Sequence, residues 1–198
     1  MCGRFENTIS MSDLINLNLF SQEDHLPADS SPKHNIAPTQ TIITIMQENG
    51  KIRSVPMNWG IKFKNNSPLI FNSRIETIKE KPFWMNLFDK NRCLVPMNAF
   101  YEWVKENGNT RKTPHRIYLK DKKFFFVPAL YVERGNEFFT SLITTTPNKF
   151  IEKIHHRMPV ILRPEEALEY LTNDYSSNLI KCVPYPDSNG MISIKADI

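Results

Sequence analysis

Cys2 is the residue whose type and position carry the most chemistry in this chain. Removal of Met1 before a small second residue would leave an α-amine and a thiol on one residue. Such a 1,2-aminothiol traps aldehydes, first as an imine and then as a thiazolidine. Reference pKa values of about 7.7 to 8 for the amine and about 8.5 for the thiol predict that both are partly nucleophilic near neutral pH.

The neighbours of Cys2 support this interpretation. Gly3 is flexible enough to let the terminus fold into a pocket, and the cation of Arg4 could hold a phosphate there. Position alone favours a plainer interpretation, in which Cys2 is only a small residue after the start methionine. Together, Gly3 and Arg4 favour the interpretation that Cys2 is a reactive nucleophile.

Glu102 is the second candidate, a carboxylate inside the aromatic run Ala99-Phe-Tyr-Glu-Trp-Val104. The run predicts a strand, and burial on that strand would raise the carboxyl pKa by desolvation. A raised pKa suits a group that delivers and recovers a proton during imine formation, sugar-ring opening or adduct release. Period-two alternation equally allows a glutamate that points to solvent between two inward aromatics.

A basic cluster follows further along the chain, where His155 and His156 precede Arg157 in the segment His155-His-Arg-Met-Pro-Val160. Adjacent histidines point in different directions, so they make a poor metal pair. One of them could hydrogen-bond a sugar oxygen or a phosphate while Arg157 binds another phosphate. The alternative is capping of a helix C-terminus by cations.

Three more residues are candidates for contact with a nucleic acid. Asn72 and Arg74 emerge where a strand meets a helix start, so both could face a bound backbone, although Asn72 could equally be an N-cap and Arg74 a surface residue. Trp59, before Gly60, offers a flat face for an unstacked base. Core packing is the more common use of a lone tryptophan.

Composition limits the class of protein. The chain has 198 residues, enough for one well-buried domain over residues 1–198, and Lys plus Arg exceed Asp plus Glu by 25 to 21, a net charge of +4. That charge permits a polyanionic partner without requiring one. The three cysteines lie far apart and predict neither a disulfide framework nor a zinc site. No apolar run reaches the roughly 18 residues of a membrane span, so we expect a cytoplasmic protein, or a nuclear one in a eukaryote.

The elements that must position these residues are mostly strands. Ser10-Met-Ser-Asp13 resembles a capping box that opens a short helix, and the polar stretch from Ser21 to Pro38 predicts a long loop. Thr41 to Met46 and Arg53 to Phe63 predict a hairpin across Glu48-Asn-Gly50. Further strands are predicted for Cys93 to Val104, Arg116 to Leu119, Phe124 to Val132 and Glu137 to Thr146, with turns at Asn107-Gly108 and Gly135-Asn136.

Helices are few and short in this pattern. Ile75 to Asp89 predicts a helix interrupted at Pro82, and Lys149 to His155 and Pro164 to Leu171 predict two more. Many strands with scattered helices and no regular alternation predict an α+β fold with a largely antiparallel, barrel-like β core and a few short flanking helices.

Taken together, the motifs resemble the SOS-response-associated peptidase family, whose members are also described as abasic-site processing proteins. The blocks that carry the resemblance occur in the family's order over most of the chain: Met-Cys-Gly-Arg-Phe5, Asn35-Ile-Ala-Pro-Thr-Gln40, Trp59-Gly60, Asn72-Ser-Arg-Ile-Glu-Thr77, Arg92-Cys-Leu-Val-Pro96, Phe100-Tyr-Glu-Trp103, Leu142-Ile-Thr-Thr-Thr-Pro147 and His155-His-Arg-Met-Pro-Val160. Two departures stand out. Ala99 replaces a usual glycine, and the segment after Gly60 lacks a common second tryptophan.

The resemblance implies roles by position. Cys2 would be the crosslinking nucleophile, Asn72 would hold the reacting terminus and sugar, Glu102 would act as acid and base, and His155 would contact the abasic sugar or its phosphate. The implied DNA-binding residues are Arg4, Arg74 and Arg157 on phosphates, Asn35 and Pro38 along the DNA path, and Trp59 and Thr144.

The resemblance also implies an activity and a partner. We expect a monomer that crosslinks to abasic sites in single-stranded DNA or at a junction with duplex, with no metal, cofactor or membrane, and nucleoid-associated when bound to DNA. A weak strand-cleaving activity through the imine alone is consistent with the same site. A cysteine peptidase or amidohydrolase that removes its own Met1, with Cys2 as nucleophile and His155 as base, is the alternative enzyme. A non-catalytic single-strand-binding module is the third hypothesis.

Overall fold

The computed structural model describes residues 2–17, 31–64, 66–105 and 112–198, and within these ranges it contains twelve strands and five short α-helices. The strands are β1 (Phe5–Asn7), β2 (Lys33–Ile36), β3 (Thr41–Glu48), β4 (Lys51–Trp59), β5 (Asn72–Arg74), β6 (Arg92–Met97), β7 (Ala99–Lys105), β8 (Lys112–Leu119), β9 (Phe125–Arg134), β10 (Glu137–Thr145), β11 (Met158–Pro159) and β12 (Met191–Lys195). The helices are α1 (Met11–Ile15), α2 (Ile75–Glu80), α3 (Pro82–Lys90), α4 (Pro164–Thr172) and α5 (Tyr175–Lys181). None of the helices in the described ranges is long and apolar enough to cross a membrane.

Five strands close into a barrel. They follow the order β10-β4-β3-β6-β9, and pairing of β9 with β10 closes the ring. The β4–β10 pair is parallel and the other four pairs are antiparallel. The short strand β5 adds to β10 in parallel and β11 adds to it antiparallel. The predicted α+β fold with a largely antiparallel barrel-like core is confirmed.

A second, antiparallel sheet has the order β12-β8-β7-β1-β2. The three-residue strand β1 is therefore an interior strand with a partner on each side. This arrangement decides where the N-terminal residues lie.

Alternation along the strands divides the apolar side chains between two cores. On β6, Cys93, Val95 and Met97 face a core shared with the second sheet, whereas Leu94 faces a core covered by the helices. Successive side chains of a strand point to opposite faces, so one strand serves both cores. The two faces of the barrel strands thus contribute to two cores, one shared with the second sheet and one shared with the helices.

Several predicted elements are confirmed. Ser10 caps α1 in a capping box with Asp13, and β3 and β4 form the predicted hairpin, although β4 ends at Trp59 rather than at Phe63. The predicted break at Pro82 separates α2 from α3. The predicted helix from Pro164 is α4, and the turn at Gly135-Asn136 joins β9 to β10.

Other predictions were wrong. The single strand expected over Cys93 to Val104 is two strands in different sheets, separated at Asn98. The helix expected over Lys149 to His155 is only a 3-10 turn, Ile151–Lys153. The loop expected from Ser21 to Pro38 contains β2. Its earlier part, residues 21–30, lies outside the described residues, as does the Asn107-Gly108 turn.

Candidate active site

The interior strand β1 carries the chain start into the site. Phe5 lies opposite Phe100 in the β1–β7 ladder, and the Tyr101 N–H donates to the Arg4 carbonyl at 2.9 Å. Continuing this antiparallel register by two residues brings Gly3 level with Glu102. The segment from Cys2 to Arg4 is therefore held beside β7, the strand that carries Glu102.

Cys2 is fully buried and belongs to the core shared by the barrel and the second sheet. Burial raises the pKa of its thiol far above the usual value, and the nearby carboxylate of Glu102 raises it further. In this environment the thiol is therefore harder to ionise than its reference pKa value implies. The thiol donates to the Arg4 carbonyl at 3.8 Å.

The alternating pattern allowed Glu102 to be either buried or directed to solvent. Glu102 is 4% exposed, so it is buried. Burial raises the pKa of its carboxyl group, because the charged form loses hydration. The same environment therefore affects both groups: it keeps the proton on the Cys2 sulfur and moves the Glu102 carboxyl toward a pKa at which it can exchange protons.

Asn72 fixes the other side of the N-terminal residue. β5 pairs in parallel with β10, with Asn72 opposite Leu142, and the Asn72 Nδ2 donates to the Cys2 carbonyl at 2.9 Å. The Oδ1 of Asn72 is buried and has no hydrogen-bond partner among the described residues. A buried acceptor of this kind favours a donor from a ligand or from a free α-amine.

His155 lies half-buried after the 3-10 turn, and its backbone N–H donates to the Ile151 carbonyl at 2.8 Å. His155 Nδ1 lies 3.0 Å from the Arg157 backbone nitrogen and 3.1 Å from the Arg157 carbonyl oxygen, so the Arg157 backbone holds this edge of the ring in either tautomer. Burial lowers the pKa of His155, which favours the neutral ring. His156 stacks on His155 with ring centroids 4.2 Å apart and is exposed.

Arg157 is buried behind His155 and forms a two-pronged ion pair with Glu76. Its Nη1 and Nη2 donate to the two carboxylate oxygens at 2.9 Å each, and Nη2 also donates to the Thr144 carbonyl at 2.8 Å. The Nε of Arg157 is buried with no partner among the described residues. A phosphate contact of Arg157 stays a prediction, as does a DNA contact of the buried Thr144.

The remaining predicted DNA-binding residues lie nearer the surface, except Trp59. Arg74 and Asn35 are exposed, and Arg4 and Pro38 are half-buried. Trp59 is fully buried, packs edge-on against Phe5 and Phe71, and donates from Nε1 to the Phe71 carbonyl at 2.9 Å. The prediction that Trp59 stacks on a base was wrong; the alternative, core packing, is what the structure has.

Sequence reasoning missed Glu76. It stands inside the Asn72-Ser-Arg-Ile-Glu-Thr77 block, but its partner Arg157 is 81 residues away, so no local pattern reveals the pair. Within the described residues, no group of three or more His, Cys, Asp or Glu side chains is arranged to hold a metal ion.

The fold and the site define an α+β barrel protein whose N-terminal cysteine is enclosed beside a buried carboxyl group. The chain belongs to the SOS response associated peptidase (SRAP) family, whose model matches residues 1–195. It is 35% identical over 201 residues to the abasic site processing protein YoqW of Bacillus subtilis strain 168, covering 93% of this chain and 88% of that protein. It is 29% identical over 184 residues to the abasic site processing protein YedK of Escherichia coli K12, covering 89% and 82%.

A crystal structure of a Bacteroides thetaiotaomicron protein shares the fold, with a TM-score of 0.79 and 23% identity over 99% of this chain and 92% of that one. The family model and the curated relatives confirm the family resemblance found in the sequence.

Proposed function

We propose that this protein captures abasic sites in single-stranded DNA, or at a junction with duplex, by forming a covalent crosslink through Cys2. The observation that carries the proposal is the enclosure of Cys2 between the Asn72 amide, 2.9 Å from its carbonyl, and the buried carboxyl of Glu102. Relatives named abasic site processing proteins support the same substrate class.

The reaction uses the aldehyde of the ring-opened deoxyribose. After removal of Met1, the α-amine of Cys2 adds to the aldehyde carbon, and loss of one water gives the imine. The sulfur then adds to the same carbon. Glu102 accepts the thiol proton and returns a proton to the imine nitrogen, so the thiazolidine forms with no net gain or loss of protons in this second step.

The other site residues hold the reactants. Asn72 accepts a hydrogen bond at its buried Oδ1 from the α-amine or a sugar hydroxyl. His155 contacts the sugar or its phosphate through its Nε2 edge, because its Nδ1 edge faces the Arg157 backbone. In a hydrogen-bonded, water-poor site such preorganised contacts stabilise developing charge.

The strand path is proposed to follow the cationic and polar residues around the site. Arg4, Arg74 and Arg157 bind phosphates, and Asn35, Pro38 and Thr144 line the path. Phosphate contacts position a strand without reading its sequence, so the protein acts wherever an abasic site lies in single-stranded DNA. The protein acts as a monomer in the compartment that holds the DNA.

The test is a crosslinking assay. Protein lacking Met1 is incubated with a single-stranded oligonucleotide that carries one abasic site, and a heat-stable conjugate is expected on a denaturing gel. The undamaged oligonucleotide and the Cys2→Ala variant should give none. Conjugate from Cys2→Ala equal to that from the unchanged protein contradicts the proposal.

The two other hypotheses have less support. A cysteine peptidase uses a thiolate nucleophile, and burial raises the pKa of the Cys2 thiol instead of lowering it. Turnover of peptide substrates that is lost in Cys2→Ser would revive that function. A purely binding module would hold undamaged and abasic strands equally well, which the same oligonucleotide pair measures.

A further inference from the structure

We infer that Glu6 is a positioning residue whose carboxylate sets the register of β1 against β7 and thereby holds Cys2 at the site. The inference rests on the proposed function only in giving that placement a task in crosslinking; the contacts belong to the protein without DNA. Glu6 directly follows the Met-Cys-Gly-Arg-Phe5 block and is not one of the site residues described above.

The carboxylate of Glu6 joins β1 to the neighbouring strands. Glu6 is 7% exposed, and its two oxygens accept from Nη2 and Nε of Arg116 on β8 at 2.9 and 3.0 Å. The Tyr101 hydroxyl on β7 lies 3.2 Å from Glu6 Oε2 and 2.9 Å from the carbonyl of His34 on β2. The guanidinium of Arg116 is itself stacked over Tyr118, 4.7 Å from the ring centroid. Glu6 therefore fastens β1 to β7 and, across β7, to β8.

The pair between Glu6 and Arg116 is charged near neutral pH. Burial alone would raise the pKa of Glu6, but the hydrogen bonds from Arg116 and Tyr101 lower it below its usual value. The hydrogen bonds to Glu6 in turn raise the pKa of Arg116. A two-pronged guanidinium–carboxylate pair is stronger and more directional than a single neutral hydrogen bond. Such a contact distinguishes one alignment of a strand from the neighbouring ones.

Backbone pairing by itself fixes the alignment of β1 weakly. The strand has three residues, and its ladder with β7 pairs Phe5 with Phe100 and Glu6 with Ala99. On the other side, the register against β2 shifts between Phe5 and Asn7. The alignment of β1 therefore depends on where its side chains fit.

The alternative alignments all separate Glu6 from Arg116. A displacement of β1 by one residue would exchange its two faces, which puts Glu6 into the apolar core and takes Phe5 out of it. A displacement by two residues keeps the faces but brings Arg4 or Thr8 to the place of Glu6. Arg4 there would face a second guanidinium, and Thr8 would leave Arg116 without a carboxylate. The observed register pairs the charges and also buries the aromatic ring.

The register of β1 decides whether Cys2 lies at the site. A displacement by two residues moves an extended strand by about 6.5 Å along its axis. The Asn72 Nδ2 donates to the Cys2 carbonyl at 2.9 Å, so a displacement of that size would break the contact. It would also carry the amine and the thiol away from Glu102, and crosslinking would slow even in a folded protein.

The test uses protein lacking Met1 and four substituted forms of it. Glu6→Ala and Arg116→Ala each remove one partner, and the double variant removes both. Glu169→Ala is the matched control, because it removes a carboxylate that lies 2.6 Å from the Lys181 Nζ between α4 and α5.

Three quantities are measured. The first is the crosslinking rate at saturating single-stranded abasic DNA, recorded together with the final yield of conjugate. The other two are measured by NMR in protein without DNA. They are the hydrogen exchange of the Tyr101 amide, which donates to the Arg4 carbonyl at 2.9 Å, and the chemical shifts of the Asn72 side-chain amide, which contacts Cys2.

The saturating rate should fall by about tenfold to a hundredfold in Glu6→Ala, because misplaced reacting groups lose that much. The final yield should stay the same, whereas a partly unfolded sample would lower the yield. Exchange of the Tyr101 amide should be faster by at least about tenfold, the equivalent of one charged hydrogen bond. The Asn72 signals should move. Arg116→Ala and the double variant should match Glu6→Ala, because the two residues act as one pair, and Glu169→Ala should change none of these quantities.

An unchanged saturating rate in folded Glu6→Ala overturns the inference, as does a slower rate with unmoved Asn72 signals. Should Glu6→Ala fail to fold, Glu6→Gln decides: a slower rate with moved Asn72 signals supports the role, and any other pattern overturns it. Absence of a conjugate from the unsubstituted protein overturns the proposed function instead, and the Tyr101 exchange and the Asn72 signals still decide the role of Glu6.

Discussion

The ion pair between Glu76 and Arg157 should stabilise the fold, and the structure allows the loss of unfolding free energy on breaking it to be estimated. The guanidinium of Arg157 makes two hydrogen bonds of 2.9 Å to Glu76, and the side chains are 9% and 47% exposed respectively. Glu76→Gln keeps one acceptor oxygen and removes the charge, so one charged hydrogen bond is lost. Such a bond contributes about 1.5 to 3 kcal/mol, and the half-exposed carboxylate places this one at the low end, about 1.5 kcal/mol.

The assay is urea unfolding at pH 7, with Glu165→Gln as the matched control. Glu165 also faces two cations, Lys122 at 3.6 Å and Arg163 at 3.8 Å, but all three side chains are at least 40% exposed. Exposed pairs are screened, so the control should lose less than about 0.5 kcal/mol. In a chain of this size the Glu76→Gln loss corresponds to a melting temperature lower by about 3 to 6 °C.

The pH dependence has a definite sign. The hydrogen bonds from Arg157 lower the pKa of Glu76 in the folded protein, despite an opposing effect of burial. The stabilisation from this group is therefore present above the unfolded glutamate value of about 4.3 and is lost as the pH falls below it. The stability gap between the unsubstituted protein and Glu76→Gln should shrink in acid. A gap that grows in acid, or that equals the control at pH 7, refutes the reasoning.

Three further predictions concern single residues. Trp59→Ala should cost about 3 to 5 kcal/mol in urea unfolding, because it empties a fully buried site, whereas Trp59→Phe should keep full crosslinking yield; a selective loss of DNA binding in Trp59→Phe would contradict the core assignment. Thr39 has φ 80°, a left-handed conformation that is costly for a β-branched residue, so Thr39→Gly should raise the unfolding free energy by about 1 kcal/mol, and a lower urea midpoint would oppose this. Arg74→Gln should reduce the slope of log affinity against log salt by about 0.7 on single-stranded DNA, equally for damaged and undamaged strands; an unchanged slope means that Arg74 binds no phosphate.

The sequence predicted correctly those elements that depend on residues close together in the chain. The hairpin of β3 and β4 follows from alternation and the Asn49-Gly50 turn, where both residues have positive φ. The α2–α3 break follows from Pro82. These features depend on residues within a few positions of each other, so the sequence alone was enough.

Features that depend on contacts between residues far apart in the sequence could not be predicted. Residues 92 to 105 have the composition of one strand, but Asn98 interrupts it by accepting from the Thr8 N–H at 2.6 Å and donating to the Lys123 carbonyl at 2.9 Å. Likewise Glu102 fits either face of a strand until its neighbours in the second sheet are known. Residue type and resemblance were enough to predict Cys2, Asn72, Glu102 and His155 as candidate site residues. The raised pKa of the Cys2 thiol depends on enclosure by distant segments, which no local pattern shows.

The interior position of β1 has a practical consequence for anyone who prepares the protein. A purification tag fused ahead of Cys2 would have to leave the core in which Cys2 is buried, and it would also block the α-amine that the proposed crosslinking requires. A tag placed after Ile198, which is 42% exposed, leaves that region clear. Recombinant material with an upstream fusion should fold yet remain inert toward aldehydes until a protease trims it to the cysteine.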